Sequence, residues 1–160
     1  MRSFIRERLH KQHETIDYLL QGFTEERLRT RVEPTKWSIH EHIAHIGRYQ
    51  EVFNQQLRAM LETTTPIFPH YKAEDDPEFS FWCARDISKN LAALYQKRRE
   101  LTTTLESCTA TQLARTGIHP VYGSITIEQW TEFFLLHEAH HLFFVCTVAW
   151  RGDVVKASGL

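Results

Sequence analysis

Residues 127–150 constrain the fold more than any other stretch of this 160-residue chain. Thr126-Ile127-Glu128-Gln129 is a capping box, which announces a helix starting at Ile127. From there the chain runs without proline through Trp130, Phe133, Phe134, Leu135, Leu142, Phe143, Phe144 and Val145, and Gly152 is the expected stop. So long an apolar helix either spans a bilayer or is covered by other parts of the protein. Glu128, Glu132, His137, Glu138, His140 and His141 lie along it, and that density of ionisable groups argues against the bilayer. The helix therefore needs other helices around it.

The rest of the chain supplies them. Residues 3–20 place Phe4, Ile5, Leu9, Ile16, Leu19 and Leu20 between charges, the pattern of an amphipathic helix stopped near Gly22. Thr24 caps a short turn of helix. Ser38-Ile39-His40-Glu41 is a second capping box, and Ile39, Ile43, Ile46, Phe53, Leu57 and Met60 carry an apolar stripe to about Leu61. A long connection through Pro66, Pro69 and Pro77 follows, then a third helix expected over residues 80–105, with Leu91, Leu94, Leu101 and Leu105 inward. Its central charge run, residues 96–100, reads as a solvated face. Thr109-Ala110-Thr111-Gln112 is another capping box. Residues 117–124 read as a loop from their Gly and Pro content. Four long helices in a chain of this size predict one all-α domain, a four-helix bundle over residues 1–160.

His137 and His141 are four apart on the last helix, so both imidazoles share one face, one turn apart. That arrangement chelates a borderline-soft divalent metal. Literally, His137 to His141 is also the H-E-x-x-H signature of zinc proteases. In those enzymes a His or Glu downstream completes the site. Neither residue occurs in the nineteen positions after His141, where Asp153 is the one carboxylate. Nor does the upstream sequence offer alternating strands for a protease sheet. A third ligand must come from another helix. The upstream candidates are His40, His42 and His45. His40, in the first turn, is expected to be solvated; spacing alone does not choose between His42 and His45. Two histidines hydrogen-bonded to core groups would give the same i,i+4 pattern without a metal. His140 is rotated off the pair, and His10 and His13 read as surface residues of the first helix.

Net charge is −1, with 19 Lys and Arg against 20 Asp and Glu, so nothing points to nucleic acid or an anionic membrane as a partner. Ten histidines is the one compositional oddity. Cys83, Cys108 and Cys146 are widely spaced and odd in number, which fits reduced thiols better than a disulfide framework. The N-terminus is charged and lacks the apolar core of a signal peptide, and a cytoplasmic protein is expected.

Trp37-Ser38-Ile39-His40-Glu41-His42-Ile43-Ala44-His45, then His119-Pro120, Tyr122-Gly123, Thr126, His137 and His141, resembles the DinB/YfiT-like superfamily in order and spacing. The family starts its second helix with W-S-x-x-E-x-x-x-H and ends with an H-x-x-x-H pair. The resemblance implies His45, rather than His42, as the first metal ligand, with His137 and His141 as the others. It implies an up-down-down-up bundle in which the second and third helices run parallel, joined by a long crossover that residues 62–79 could supply. His42, Tyr49, His119, Tyr122 and Glu138 are then candidates for the pocket wall or for support of the ligands. Glu138 points about 100° away from His137 on a helix, so a subunit contact or plain solvation would suit it equally. Trp37 fits a core anchor better than a substrate platform.

Three neutral protein ligands leave coordination positions open, the pattern of catalytic sites. Imidazole donors favour nickel or zinc over calcium or magnesium. Such an ion lowers the pKa of a bound water or thiol. The expectation is a metal-dependent enzyme acting on a small molecule. A thiol S-transferase using bacillithiol or mycothiol, the chemistry the resemblance implies, stands slightly ahead of a hydrolase. A non-catalytic metal- or ligand-binding stress protein is the alternative from another class, and a plain helical interaction module a third. A homodimer is also expected.

Overall fold

The computed structural model describes residues 1–157, with side chains through Trp150. The elements run α1 (Ser3–Lys11), a 3-10 turn (Gln12–Glu14), α2 (Thr15–Leu19), α3 (Glu25–Arg29), α4 (Ile39–Glu62), a 3-10 turn (Ala73–Asp75), α5 (Pro77–Ala84), α6 (Ile87–Ser107), α7 (Ala110–Leu113), β1 (Thr116–His119), β2 (Gly123–Thr126) and α8 (Ile127–Ala157). All three capping boxes form. The Glu41 N–H donates to Ser38 Oγ at 3.2 Å while the Ser38 N–H donates to Glu41 Oε2 at 2.7 Å. Thr109 with Gln112 and Thr126 with Gln129 repeat the reciprocal pattern.

The direction of each long helix follows from its packing. One core cluster joins Ile39, Ile43 and Ile46 from the start of α4 with Leu94 of α6, Leu142 and Val145 of α8, and Ile16 and Leu19 of α2. The other joins Phe53, Leu57 and Met60 from the end of α4 with Leu101 and Leu105 of α6, Trp130 and Phe134 of α8, and Ile5 and Leu9 of α1. Early with early and late with late makes α4 and α6 parallel. Early with late makes α1–α2 and α8 antiparallel to α4. The order is up-down-down-up. Residues 63–86 make the long crossover that parallel neighbours need.

Four local expectations are corrected. The first helix is not continuous: the chain tightens to 3-10 geometry at Gln12–Glu14. This turn carries Gln12 inward, where its amide donates to the Leu135 carbonyl at 2.7 Å, a tertiary bond that competes with regular helix. The third helix starts at Ile87, not Ser80, because residues 77–84 form their own helix. Asp76 caps that helix, accepting from the Glu78 N–H at 3.0 Å, and Pro77 takes its first position. This separate direction lays Trp82 across α4 at Gly47, where a Cβ would stand 2.2 Å from the indole.

Residues 117–124 are mostly strand rather than loop. β1 and β2 pair antiparallel, Thr116 opposite Thr126 and His119 opposite Gly123. Gly123 takes φ +68 at the turn, where an L side chain would be strained. The crossover docks on the hairpin: the Ile118 N–H donates to Pro66 O at 2.8 Å and the Phe68 N–H to Ile118 O at 3.1 Å. Finally, α8 continues through Gly152 to Ala157. A helical glycine is unfavourable by only about 1 kcal/mol, too little to stop a long helix without a left-handed cap. Residues 127–150 are long and apolar enough to cross a membrane by length and composition. Here one side of that helix closes the bundle, and Leu136, Phe143 and Trp150 face outward.

Candidate metal centre

The capping box fixes where α4 begins and hence which of its side chains face α8. His42, His45 and Tyr49 follow at helical spacing and all three are buried. Opposite them, His137 and His141 are presented one turn apart by α8. His45, His137 and His141 converge, each offering one nitrogen, with those atoms all within 4.8 Å of one another. His45 Nε2 is 3.1 Å from His137 Nε2, and His141 Nε2 is 3.2 Å from the same atom. Nitrogens at about 2.0–2.1 Å from a tetrahedral zinc ion would be about 3.3 Å apart. The spacing therefore fits a divalent ion.

The protonation chemistry fits it too. Burial holds His45 down to about 3, with His137 adding to the effect. Burial likewise holds His137 down to about 4 and pushes His141 lower still. All three imidazoles are thus neutral near pH 7, the form that ligates metals. Three neutral rings pointing Nε2 atoms at one place are poorly served by one another. His137 Nε2 can take part in one good hydrogen bond, not two. A cation resolves the convergence of lone pairs.

His42 lies beside the cluster, not in it. Its Nδ1 is 3.0 Å from Nδ1 of His141. If His141 presents Nε2 to an ion, its proton sits on Nδ1 and donates to His42, which fixes the ring and its tautomer. Trp37 stacks on His141 with centroids 5.8 Å apart and packs on His42, His45 and Phe79. It is a half-buried wall of the site as well as an anchor. Tyr49 sits 4.2 Å from His137, ring to ring, and burial pushes its phenol pKa up, so it stays protonated.

On the His137 side a cavity of about 290 Å³ opens between the crossover and the hairpin. Its walls include Tyr49, Tyr71, His119, Tyr122, Trp130 and Phe133. His119 is no ligand in this cluster. Its Nδ1 accepts from the Val121 and Tyr122 N–H groups at 3.1 and 3.2 Å, which pins the hairpin turn, and its ring stacks on Tyr122.

Glu138 is the residue whose placement sequence reasoning left most open. It is 2% exposed, as buried as its neighbours in the core. It pairs with Arg98, accepts from Gln12 Nε2 at 2.9 Å, and accepts from Gln50 Nε2 at 3.2 Å. Arg98 is 1% exposed; it also donates to Gln50 Oε1 at 3.0 Å and the Leu9 carbonyl at 3.2 Å, and lies over the Phe134 ring. The solvated face expected for residues 96–100 is therefore wrong at its centre. A signal was present: Leu94, Arg98, Leu101 and Leu105 share one helical stripe, so Arg98 occupies a core position.

His13 is half-buried beside Arg98, 3.4 Å from its Nη1, and burial followed by that charge lowers its pKa to about 4. His40 is likewise not solvated: it is 1% exposed, with Nε2 2.9 Å from the Arg85 carbonyl oxygen. The start of α4 is covered by the α5–α6 turn, which the sequence pattern did not reveal. His10 is exposed as expected and pairs with Glu106 at 2.8 Å, whereas His13, expected at the surface with it, is not; His140, rotated off the pair, is exposed.

Comparison with known proteins agrees with the geometry. The uncharacterized protein YuaE of Bacillus subtilis is 24% identical over 139 residues, 77% of this chain and 83% of its own length. Among solved structures, YfiT from Bacillus subtilis, described as a probable metal-dependent hydrolase with an unusual four-helix bundle topology, superposes with a TM-score of 0.82 at 20% identity. That match covers 93% of this chain and 86% of YfiT. TT2238, a four-helix bundle protein, superposes with a TM-score of 0.63 at 18% identity, over 88% of this chain and 94% of its own. The profile of the DinB superfamily matches residues 8–144. With that match spanning most of the bundle, from α1 to beyond the second histidine of α8, the chain belongs to the DinB superfamily.

Proposed function

We propose that this protein is a metal-dependent enzyme for a small molecule, that His45, His137 and His141 hold its ion, and that its reaction is hydrolytic. The observation that carries the reading is the convergence of three neutral Nε2 donors beside an open cavity. Among the described residues no fourth His, Cys, Asp or Glu joins the cluster, the pattern of a catalytic rather than a structural site. Zinc or nickel suits an all-imidazole donor set better than calcium or magnesium. A divalent ion there would act as a Lewis acid and lower the pKa of water bound to it.

The protein's own residues set the stage. His42 holds the His141 ring, Trp37 and Phe79 exclude water behind the cluster, and Tyr49 keeps a protonated phenol beside His137. The hairpin and crossover bound the space where a substrate would lie. The description of YfiT as a probable metal-dependent hydrolase supports hydrolysis for this chain.

Transfer of a low-molecular-weight thiol is the second reading, favoured by the superfamily resemblance and by the open positions of a three-histidine site. It ranks lower because the description of YfiT names hydrolysis, and because among the described residues no Lys or Arg lines the cavity beside His137 to meet a carboxylate-bearing thiol such as bacillithiol.

Tag-free protein should contain one zinc or nickel per chain by elemental analysis. Cleavage of neutral aryl esters or anilides should depend on that metal and fall to background in His45→Ala. Metal-dependent conjugation of a bacterial thiol to an alkyl halide, with no ester or amide cleaved, would replace hydrolysis by transfer. Full metal retention in both His137→Ala and His141→Ala would reject the site itself.

A further inference from the structure

The hairpin settles which nitrogen of His119 carries the proton. Nδ1 accepts from two backbone N–H groups, those of Val121 at 3.1 Å and Tyr122 at 3.2 Å. A ring nitrogen that accepts has no hydrogen of its own, so the neutral imidazole carries its proton on Nε2. Moving the proton to Nδ1 would set three N–H groups against one another at the turn. Two roles are thereby closed to His119 while the turn holds. It cannot ligate a metal, since Nδ1 is taken and Nε2 is protonated. Nor can it serve as a general base, for the same reason. What it can do is donate.

Nε2 has an open side on which to do so. It has no partner among the described residues, yet, unlike the Trp130 indole Nε1, it is not sealed off by packing. The ring is half-buried, and its remaining nitrogen reaches open space. Tyr122 stacks on the ring at 4.8 Å between centroids, and Trp130 and Phe133 meet it edge-on at 5.3 and 5.0 Å. Those contacts and the two backbone amides hold the ring's orientation. The open space that His119 borders is the cavity beside His137, and among the described residues no Asp, Glu, Lys or Arg lines it. Burial, then the neighbouring His70, keeps His119 below the usual imidazole range, so the ring is neutral near pH 7. A neutral, oriented donor in a wall free of charged side chains suits an uncharged acceptor such as a carbonyl oxygen. It offers nothing to a group that can only donate.

We infer that His119, through a fixed Nε2–H, is the donor by which this cavity recognises an uncharged carbonyl-bearing group. That this group belongs to the substrate rests on the hydrolase reading; the tautomer and the binding do not.

The test uses the full chain with ¹⁵N in its histidine rings, first stripped of metal by a chelator and then loaded with zinc. Long-range ¹H–¹⁵N correlations near neutral pH report each tautomer, and the His119 ring is assigned by its loss in His119→Asn. It should carry its proton on Nε2 in both states, whereas the rings of His45, His137 and His141 change when zinc is added. Acetophenone titrated into the metal-free chain should move the His119 Nε2 resonance saturably. In His119→Asn the amide oxygen can still accept from the turn where Nδ1 did, but no donor remains at the Nε2 position. That variant should bind acetophenone more weakly by roughly 3- to 10-fold, the value of one neutral hydrogen bond. His119→Gln, whose amide N–H reaches the Nε2 position, should recover most of the loss. A proton on Nδ1 would overturn the inference, as would a His119 ring that changes with zinc as the three ligands do. So would a His119 resonance that acetophenone leaves unmoved, or equal binding by wild type and His119→Asn. Acetophenone binding through His119 in a chain that cleaves no ester or anilide would sink the hydrolase reading alone. Metal-dependent cleavage that His119→Asn leaves at the wild-type kcat/KM would sink this one alone.

Discussion

His137 and Glu138 are adjacent in sequence, yet α8 sends them into two different kinds of buried polar ground. Glu138 enters a network in which its carboxylate meets Arg98, Gln12 and Gln50. Three helices and the Gln12–Glu14 turn each contribute a member. His137 enters a cluster whose members are alike: the neutral Nε2 atoms of His45, His137 and His141 facing one another. A satisfied buried network holds a fold in one arrangement. An unsatisfied one persists only if something else completes it. The satisfied side therefore reads as architecture and the unsatisfied side as the place where a ligand belongs.

The sharpest way to break that comparison is to remove one member from each side. Arg98→Met leaves Glu138 charged and buried with no cation, which should destabilise the metal-free protein by about 3–5 kcal/mol in urea denaturation. Arg98→Met combined with Glu138→Leu should recover most of the loss, because two matched apolar groups need no partners. His141→Ala should be far milder in the metal-free protein, since it relieves a crowded set of acceptors. Equal effects at Arg98 and His141 would mean that the two polar regions are not different in kind.

Metal should reverse the ranking. Zinc or nickel at one hundred times its dissociation constant should stabilise the wild-type chain by about 2.7 kcal/mol. His45→Ala and His141→Ala should abolish the gain, and the Arg98→Met, Glu138→Leu double variant should keep it. Acid should act mostly on the same side, with His13 beside Arg98, also held down to about 4, as the one contributor from the other. His42 is held down to about 4, His45 to about 3 and His137 to about 4, whereas each titrates near 6.5 when unfolded. Between those values the unfolded chain binds more protons, so stability rises with pH. The metal-free protein should be fully stable above about pH 6.5 and lose stability as pH falls towards about 4. A flat profile across that window, read by denaturant midpoints, would mean the imidazoles are hydrated when folded.

Much of this was legible in the sequence, for identifiable reasons. The capping boxes set the starts of α4, α7 and α8 because reciprocal hydrogen bonds are local chemistry. The inward stripe of α4 was legible because 3.6-residue periodicity is local too. Spacing left His42 and His45 open and the family resemblance alone picked His45, which the structure does bring to His137 and His141. What failed was decided between distant segments. The charge run hid Arg98 because its partner, Glu138, lies forty positions downstream. His40 was expected in water because nothing local says that the turn after α5 covers it. The hairpin reads as a loop in the sequence because strands of four residues carry too little alternation to register, and its pairing with residues 66–68 is tertiary.

The finest test asks how far the satisfied pattern extends towards the unsatisfied one, and His42 sits on that boundary. It is 8% exposed, stacks on Phe144, and meets His141 through Nδ1. If it orients His141 by accepting the Nδ1 proton, it belongs to the support of the ion without touching it. Groups in that position typically change metal affinity by 10- to 100-fold, about 1.4–2.7 kcal/mol. His42→Ala should therefore weaken zinc by that factor and leave stoichiometry at one ion per chain, by competition titration with a chromogenic chelator. His42→Asn, whose carbonyl can still accept, should recover part of the loss. Complete loss of metal in His42→Ala would make His42 a ligand and His45 the supporting ring. Unchanged affinity would mean that packing against Trp37, not the hydrogen bond, sets the orientation of His141.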